Sequence, residues 1–451
     1  MNTLMLTISA GHGHNAAAEA ISEYILKNEP DSRIKIVDTL KYISPILDKV
    51  VIGTYLNSLK IYPKGFSMLY SVFNRKDESV TAFAEKFDEL LADRLLPLIV
   101  ETQPDVIIST HPFTTQMLSA LKTSGHLNLP ALAIITDYGS HALWVHPGID
   151  FYVVAHESVV EELTKTGRDR RTVFPYVIPF RSTFLNPYDR SQTLSGIGLD
   201  EQLPTVTLMG GSLALGHIKT ILKELDSIPR QFNIVVVAAN NQKLYDEALE
   251  ISLKSDKNIA VLKFCHFMDA LLQATDLLVT KPGGLTVTEA LITGTPMAIF
   301  KAIGGQEEQN KHFLLKNQLA IDLGDGEDSA GQIEALLFHP HKLEDMTDRI
   351  RAFAKPDSTE KIYGLLRLMV DDFHRQNKTA VPNADTLEDE GFNEKLKGLF
   401  DDAKTRLESN KMTSRLMDFL RRRSKEVSDE DFYELSDEEI SQLLDETQEK
   451  H

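Results

Sequence analysis

Two consecutive doubly wound α/β domains are what this sequence predicts, and three observations predict them. Short apolar runs of strand length alternate with stretches of helical period through most of the chain, the pattern of βαβ units and a mostly parallel sheet. The alternation pauses around Pro187–Pro204, where Gly196, Gly198 and Pro204 interrupt it, and then starts again. Glycine-bearing turns follow several of the apolar runs, at the strand ends where open α/β sheets bind their ligands.

In the first half, Leu4–Ser9 reads as a buried strand, followed by a Gly/His turn and a helix from about Asn15 to Lys27. Ile34–Asp38, Val106–Thr110, Ala131–Asp137 and Phe151–Ala155 are further runs of strand length. The first domain is placed at residues 1–190, with the interdomain linker in Pro187–Pro204. The second domain, 200–355, opens on Thr205–Met209 and continues through Asn233–Ala238, Ile259–Leu262, Leu277–Thr280 and Pro296–Phe300. Facing strand ends of two such domains make a cleft. Beyond residue 380 the character changes to an acidic helical extension, 381–451. VPNADTLEDEG has no apolar period and reads as a linker. Phe392–Arg423 has apolar residues at helical spacing and ends in Arg421-Arg422-Arg423, and Ser428–His451 is acidic.

The 451 residues exceed one core of ordinary size. A composition of 42% hydrophobic and 25% charged residues is that of a soluble globular protein. The single cysteine, Cys265, allows no internal disulfide and fits a reducing cytoplasm. The N-terminus lacks a basic region followed by a cleavable apolar run, so no signal peptide is expected. No apolar stretch approaches the ~20 residues that span a bilayer, so membrane contact is expected to be peripheral. The formal net charge of −18 argues against nucleic-acid binding. About half of it falls after residue 380, which leaves room for local basic patches elsewhere.

Three turns carry residues suited to chemistry. Gly11-His12-Gly13-His14-Asn15 stands between a strand and a helix. Small residues there let a ligand approach the backbone, and a helix N-terminus favours negative charge. A histidine in that place suits proton abstraction from a hydroxyl, its ordinary pKa lying near ~6.5. A plain turn with a surface histidine has the same local sequence. Lys281-Pro282-Gly283-Gly284-Leu285-Thr286 precedes a helix bearing Glu289. Its N–H groups suit a diphosphate, and Glu289 suits the two hydroxyls of a ribose. The capping-turn alternative is weakened by a second glycine turn, Gly210-Gly211-Ser212, at another strand end. Gly304-Gly305-Gln306-Glu307-Glu308-Gln309-Asn310 offers amides and carboxylates that suit sugar hydroxyls, or that simply cap a helix. GxGxxG and GxxxxGK[ST] spacings are absent, which disfavours a dinucleotide site and ATP hydrolysis.

Together, KPGGLTVTEAL and GGQEEQN resemble the donor half of family 28 glycosyltransferases of the GT-B fold. SAGHGHNAAAEAI, Ser109-Thr110-His111-Pro112, Thr136-Asp137, Trp144-Val145-His146-Pro147-Gly148 and Ile178-Pro179 are similar to the N-terminal half of the monogalactosyldiacylglycerol synthases and the processive diacylglycerol glucosyltransferases. The resemblance covers roughly residues 1–375. It implies two Rossmann-like domains facing a cleft, and a final helix near Pro356–Gln376, within 356–380, crossing back to the first domain. It also implies transfer of glucose or galactose from a UDP-sugar to diacylglycerol. His14 is then the base, with Asp137 and His111 as further catalytic residues in the cleft. Gly13 and Gly211 bind the donor, Ser212 belongs to a second phosphate loop, and Gly283, Gly284, Leu285 and Thr286 form the diphosphate loop. Phe267 and Met268 hold the uracil, Glu289 the ribose, and Gln306 and Glu307 the sugar. The first loop reads GHGH where many family members have GGGH, which makes His12 a second candidate base. No metal-ligand spacing and no DxD motif occur, so no metal or other cofactor is expected.

Lys41–Lys76 mixes aromatic and aliphatic residues with Lys41, Lys49, Lys60, Lys64, Arg75 and Lys76, a composition suited to an anionic membrane interface and also to ordinary core helices. A diacylglycerol acceptor favours the interface reading and peripheral attachment to the inner face of the cell membrane. Phe392–Arg423 reads as a partner-binding or solvated helix. A polyprenyl-linked or soluble acceptor, an epimerase acting on a UDP-sugar, and a non-enzymatic UDP-sugar sensor are the alternatives.

Overall fold

A computed structural model of the protein describes residues 1–9, 12–43, 91–211, 217–301, 305–376 and 380. The first sheet has six strands: β1 (Asn2–Thr7), β2 (Arg33–Asp38), β3 (Val106–Ser109), β4 (Ala131–Ile134), β5 (Phe151–Val153) and β6 (Val173–Phe174). Their order is β2-β1-β3-β4-β5-β6. The β1–β3 pairing is parallel, with Met5 opposite Ile108. Central strands such as Val106–Ser109 are buried at every residue, which is why they read as unbroken apolar runs rather than alternating ones.

The second sheet also has six strands: β7 (Thr205–Met209), β8 (Asn233–Val237), β9 (Asn258–Leu262), β10 (Leu277–Thr280), β11 (Met297–Phe300) and β12 (Ala320–Gly324). They run in the order β12-β11-β10-β7-β8-β9. Strand order reverses between β1 and β3 in the first sheet and between β7 and β10 in the second. Crevices at such reversals are the places where open α/β sheets bind ligands. The Gly/His turn follows β1, and the paired-glycine turns follow β7 and β10.

Several boundaries differ from the sequence expectation. The first helix begins at His12, not Asn15. Asn15 looks like a cap, but its side chain reaches back to the strand end: Thr7 Oγ1 donates to its Oδ1 at 2.7 Å and its Nδ2 donates to Ser9 Oγ at 3.1 Å. β4 stops at Ile134, so Thr136 and Asp137 stand beyond the strand. β6 and β12 were not expected. The first is a two-residue strand, and the second is only partly buried, with Asp322 and Gly324 breaking its apolar run. Within the expected linker lies the helix Arg190–Ser195, capped by Asp189. Its Leu194, together with Leu199, joins the core of the second sheet, and Arg190 pairs with Asp276 at 2.7 Å just before β10.

The last described helix, Ser358–Arg375, packs against the first sheet although it follows the second in sequence. Ile362, Leu366 and Met369 share a core with Met5, Ile21, Ile25 and Ile108. Ser358 Oγ donates to the Val177 carbonyl at 3.2 Å and Thr359 Oγ1 to the Phe180 carbonyl at 3.3 Å. The two chain crossings between the sheets are thereby bonded to each other.

The chain divides into two compact units. One comprises Met1–Val37, Pro104–Thr115 and Leu129–Lys378 and holds the two sheets. The other draws on Asp38–Gln103, Gln116–Asn128 and the C-terminal residues. Its described part includes the helix Leu96–Thr102, which ends on Gln103 in the left-handed region. Ser212, nearly all of the basic aromatic stretch Lys41–Lys76, and the extension with Phe392–Arg423 lie outside the described residues. No helix among the described residues is long and apolar enough to cross a membrane.

Candidate active site

His14 stands in the first turn of the helix His12–Asn28. Its Nδ1 is 2.7 Å from the Thr110 carbonyl and 3.0 Å from Thr136 Oγ1. A carbonyl only accepts, so Nδ1 carries the hydrogen and Nε2 keeps a free lone pair. Burial pushes the ring pKa down to about 4, against the opposite pull of the Thr110 bond, so His14 is a neutral base at pH 7. His111 is buried beside it, the rings meeting edge to face at 4.7 Å. Phe113 N–H donates to His111 Nδ1 at 3.2 Å. Burial holds His111 well below the ordinary histidine range, and the charges of His14 and His141 push the same way. His12, the other candidate base, is exposed at the helix start.

The turn after β10 comes up against this histidine pair. A Cβ added to Gly284 would stand 2.0 Å from the Thr136 carbonyl oxygen and 3.2 Å from Ile178 Cδ1, so only glycine fits. A Cβ on Gly13 would stand 3.6 Å from Leu285 Cβ. The helices His12–Asn28 and Gly284–Thr293 thus meet at their N-terminal turns, where the backbone N–H groups have no intrahelical partner and the dipole favours an anion. Gly211, at φ +71°, lies under Lys281, whose Cε would be 2.8 Å from an added Cβ. Lys281 Nζ pairs with Glu307 Oε1 at 2.6 Å. An ammonium group therefore lies at the reversal point of the second sheet, between its two glycine turns.

Thr286 is in the first turn of the helix Gly284–Thr293 and Glu289 in the second. Desolvation pushes the Glu289 carboxyl up to about 8; the Arg181 charge lowers it and Asp269 raises it. Phe267 and Met268 open the helix Met268–Gln273 and rest on the core of the second sheet. Gln306 Nε2 lies 2.9 Å from His141 Nε2. Asp137 is buried, and desolvation raises its pKa to about 7. The Asn310 amide lowers it, the Glu307 charge raises it and Lys281 lowers it.

The structure thus brings His14, His111, Gly13, Gly283, Gly284 and Leu285 to one place. Asp137, Gln306 and Glu307 join them through contacts with Asn310, His141 and Lys281. Sequence reasoning named Thr110, Thr136 and Asn310 only within their motifs and gave no role to Tyr138: Thr110 and Thr136 orient His14, and Tyr138 and Asn310 join the two halves. Asn310 had a usable signal, since its spacing of four from Gln306 and three from Glu307 puts all three on one helix face. Among the described residues, no group of three His, Cys, Asp or Glu side chains is placed to hold a metal ion.

Comparison with known proteins finds likenesses to both halves of the chain. Residues 14–180 match the family model of monogalactosyldiacylglycerol (MGDG) synthase, and residues 198–353 match that of glycosyl transferases group 1. A processive diacylglycerol beta-glucosyltransferase of Bacillus pumilus is 28% identical over 371 residues, 80% of this chain and 94% of the relative. The protein of that name from Bacillus subtilis is 26% identical over 372 residues, 80% of this chain and 94% of its own length. Among solved structures, Acinetobacter baumannii MurG superposes with a TM-score of 0.55 at 16% identity, covering 81% of this chain and 99% of that one. The complex of S. aureus MnaA with UDP superposes with a TM-score of 0.54 at 12% identity, covering 82% and 97%. With these relatives across both sheets, the chain is a glycosyltransferase of the GT-B fold, related to the monogalactosyldiacylglycerol synthases and the processive diacylglycerol beta-glucosyltransferases.

Proposed function

We propose that the protein transfers glucose or galactose from its UDP conjugate to the free hydroxyl of diacylglycerol, with His14 as general base. One observation carries this reading. His14 is held with Nε2 free to accept a proton, on a helix whose first turn abuts the paired-glycine turn. In the reaction, the acceptor hydroxyl gives its proton to Nε2 while its oxygen bonds to the anomeric carbon. The bond from that carbon to the diphosphate breaks, and UDP leaves with the electron pair. The new charge falls where the N-terminus of the helix Gly284–Thr293 and Lys281 are placed to stabilise it. Glu289 is assigned the ribose, Phe267 and Met268 the uracil, and Gln306 and Glu307 the sugar hydroxyls. His111 and Asp137 shape the reacting end of the cleft.

The lipid acceptor rests on the relatives, whose names specify diacylglycerol, and on the basic aromatic stretch Lys41–Lys76. That acceptor stays in the bilayer, so the enzyme is proposed to work as a peripheral protein on the cytoplasmic face of the membrane. The deciding assay combines purified protein, diacylglycerol micelles, and UDP-glucose or UDP-galactose in separate reactions, with the lipids resolved by mass. A hexosyl-diacylglycerol product is expected from one donor. Conversion of UDP-sugar without any lipid product would make the protein an epimerase instead. With Lys281 and a helix N-terminus assigned to stabilise the leaving group, the reaction is proposed to need no divalent ion. Turnover should therefore survive excess EDTA, and loss with rescue by magnesium or manganese would contradict this.

A further inference from the structure

Asn310 lies in the helix Gly305–Lys316 and has no exposed surface. Its Oδ1 accepts the Tyr138 N–H at 2.6 Å, and its Nδ2 donates to Asp137 Oδ1 at 2.9 Å and to the Pro282 carbonyl at 3.0 Å. The partners fix the amide's orientation: a backbone N–H can only donate and a carbonyl can only accept. Of the side chains this size, an amide alone supplies an acceptor and two donors from one planar group; the isosteric carboxylate supplies only acceptors. The three bonds tie together the loop after β4, the turn after β10 and the helix that carries Gln306 and Glu307. A second link runs parallel to it. Tyr138 Oη is 2.9 Å from Thr288 Oγ1, and Thr288 Oγ1 donates to the Gly284 carbonyl at 3.0 Å. The turn is thus held at Pro282 by Asn310, and at Gly284 by Tyr138 acting through Thr288.

We propose that Asn310 is a positioning residue of the donor site. Its amide fixes the Lys281–Gly284 turn through the Pro282 carbonyl while holding Asp137 and Tyr138 against it, and the seat for the donor's diphosphate is complete only while these bonds stand. The proposal rests on the reading of this turn as the diphosphate seat. Asn310 touches no reacting atom; it acts through the backbone of Pro282.

The test uses UDP itself as probe, by calorimetry on the full chain, with thermal melting recorded alongside. Asn310→Asp sets a carboxylate against Asp137 and leaves the Pro282 carbonyl without its donor. UDP affinity should fall about tenfold or more, the worth of a buried hydrogen bond and the group it leaves unsatisfied. The double variant Asp137→Asn with Asn310→Asp reverses the direction of one bond. Asn at 137 now donates to Asp at 310, and the Tyr138 N–H still has its acceptor, but the Pro282 carbonyl remains unpaired. Melting temperature should return most of the way, while UDP binding stays several-fold weaker than in Asp137→Asn alone. A purely structural role would restore both together. If the double variant binds UDP as tightly as Asp137→Asn, or if Asn310→Asp binds it as the unmodified protein does, the proposal is wrong. Should Asn310→Asp fail to fold, the double variant and Asp137→Asn still decide. Failure of the unmodified protein to bind UDP would instead refute the donor-site reading and the proposal with it.

Discussion

His14 hands its Nδ1 hydrogen to a backbone carbonyl, so no countercharge on that side stabilises the imidazolium formed during proton transfer. Burial alone would make it a weak base; in the proposed reaction an anionic donor bound next to it would supply the missing negative charge. His14→Ala should lower kcat by ~10²-fold or more with UDP affinity nearly kept, and His12→Ala, at an exposed position, should stay close to wild type. Steady-state rates and UDP titrations on both variants check this. Glu289 gives a pH test. Its carboxyl titrates near 8 in the folded protein, and accepting two ribose hydroxyls requires the ionised form. Ionisation is incomplete below that pH, so UDP binding should strengthen as pH rises from 6 toward 9, by up to about tenfold per unit on the acid side. Glu289→Gln should bind more weakly and lose that component of the pH dependence; parallel slopes for the two proteins would remove Glu289 from the ribose. Both residues were legible because each sits at a fixed offset from a glycine turn. The roles of Thr110 and Tyr138 were not, because their partners lie 96 and 150 residues away along the chain; for Asn310 the spacing showed the helix face but not its partner, 172 residues away.

Among the elements, the helix Gly284–Thr293 is held tightest where it begins. Gly284→Ala would drive a methyl group into the Thr136 carbonyl, whereas nothing lies within 4 Å of the position a Cβ would take on Gly283. The first substitution should cost about 1–3 kcal/mol and most of the activity, and the second should be mild in both. Thermal melts with activity assays separate them, and equal effects would show that the close approach to Thr136 relaxes freely. Strands buried on both faces were readable as apolar runs. β6 and β12 escaped because a two-residue edge strand and one interrupted by Asp322 and Gly324 leave no such run. The helix Arg190–Ser195 escaped because the glycines and prolines around it obscure a short amphipathic turn that tertiary packing of Leu194 secures.

At the scale of the whole molecule, the two-sheet architecture was legible because the βα alternation stops and restarts. The joining of the halves was not, because it depends on side chains that meet only after both sheets have formed. The helix Ser358–Arg375 shows what this means for a chain made from its N-terminus on a ribosome. The apolar face that includes Ile21 and Ile25 is among the first parts to emerge, yet its cover of Ile362, Leu366 and Met369 is synthesised more than three hundred residues later. For most of translation the first half therefore lacks part of its core, and such exposed apolar surface is prone to aggregate. A fragment of residues 1–190 should accumulate as insoluble protein. Co-expression with a fragment of residues 191–376, which carries the late helix, should return it to solution as a complex that can be purified through a tag on either part. A soluble, cooperatively melting 1–190 fragment would show that the first sheet needs no such cover, and that the late helix is a brace added to an already finished domain.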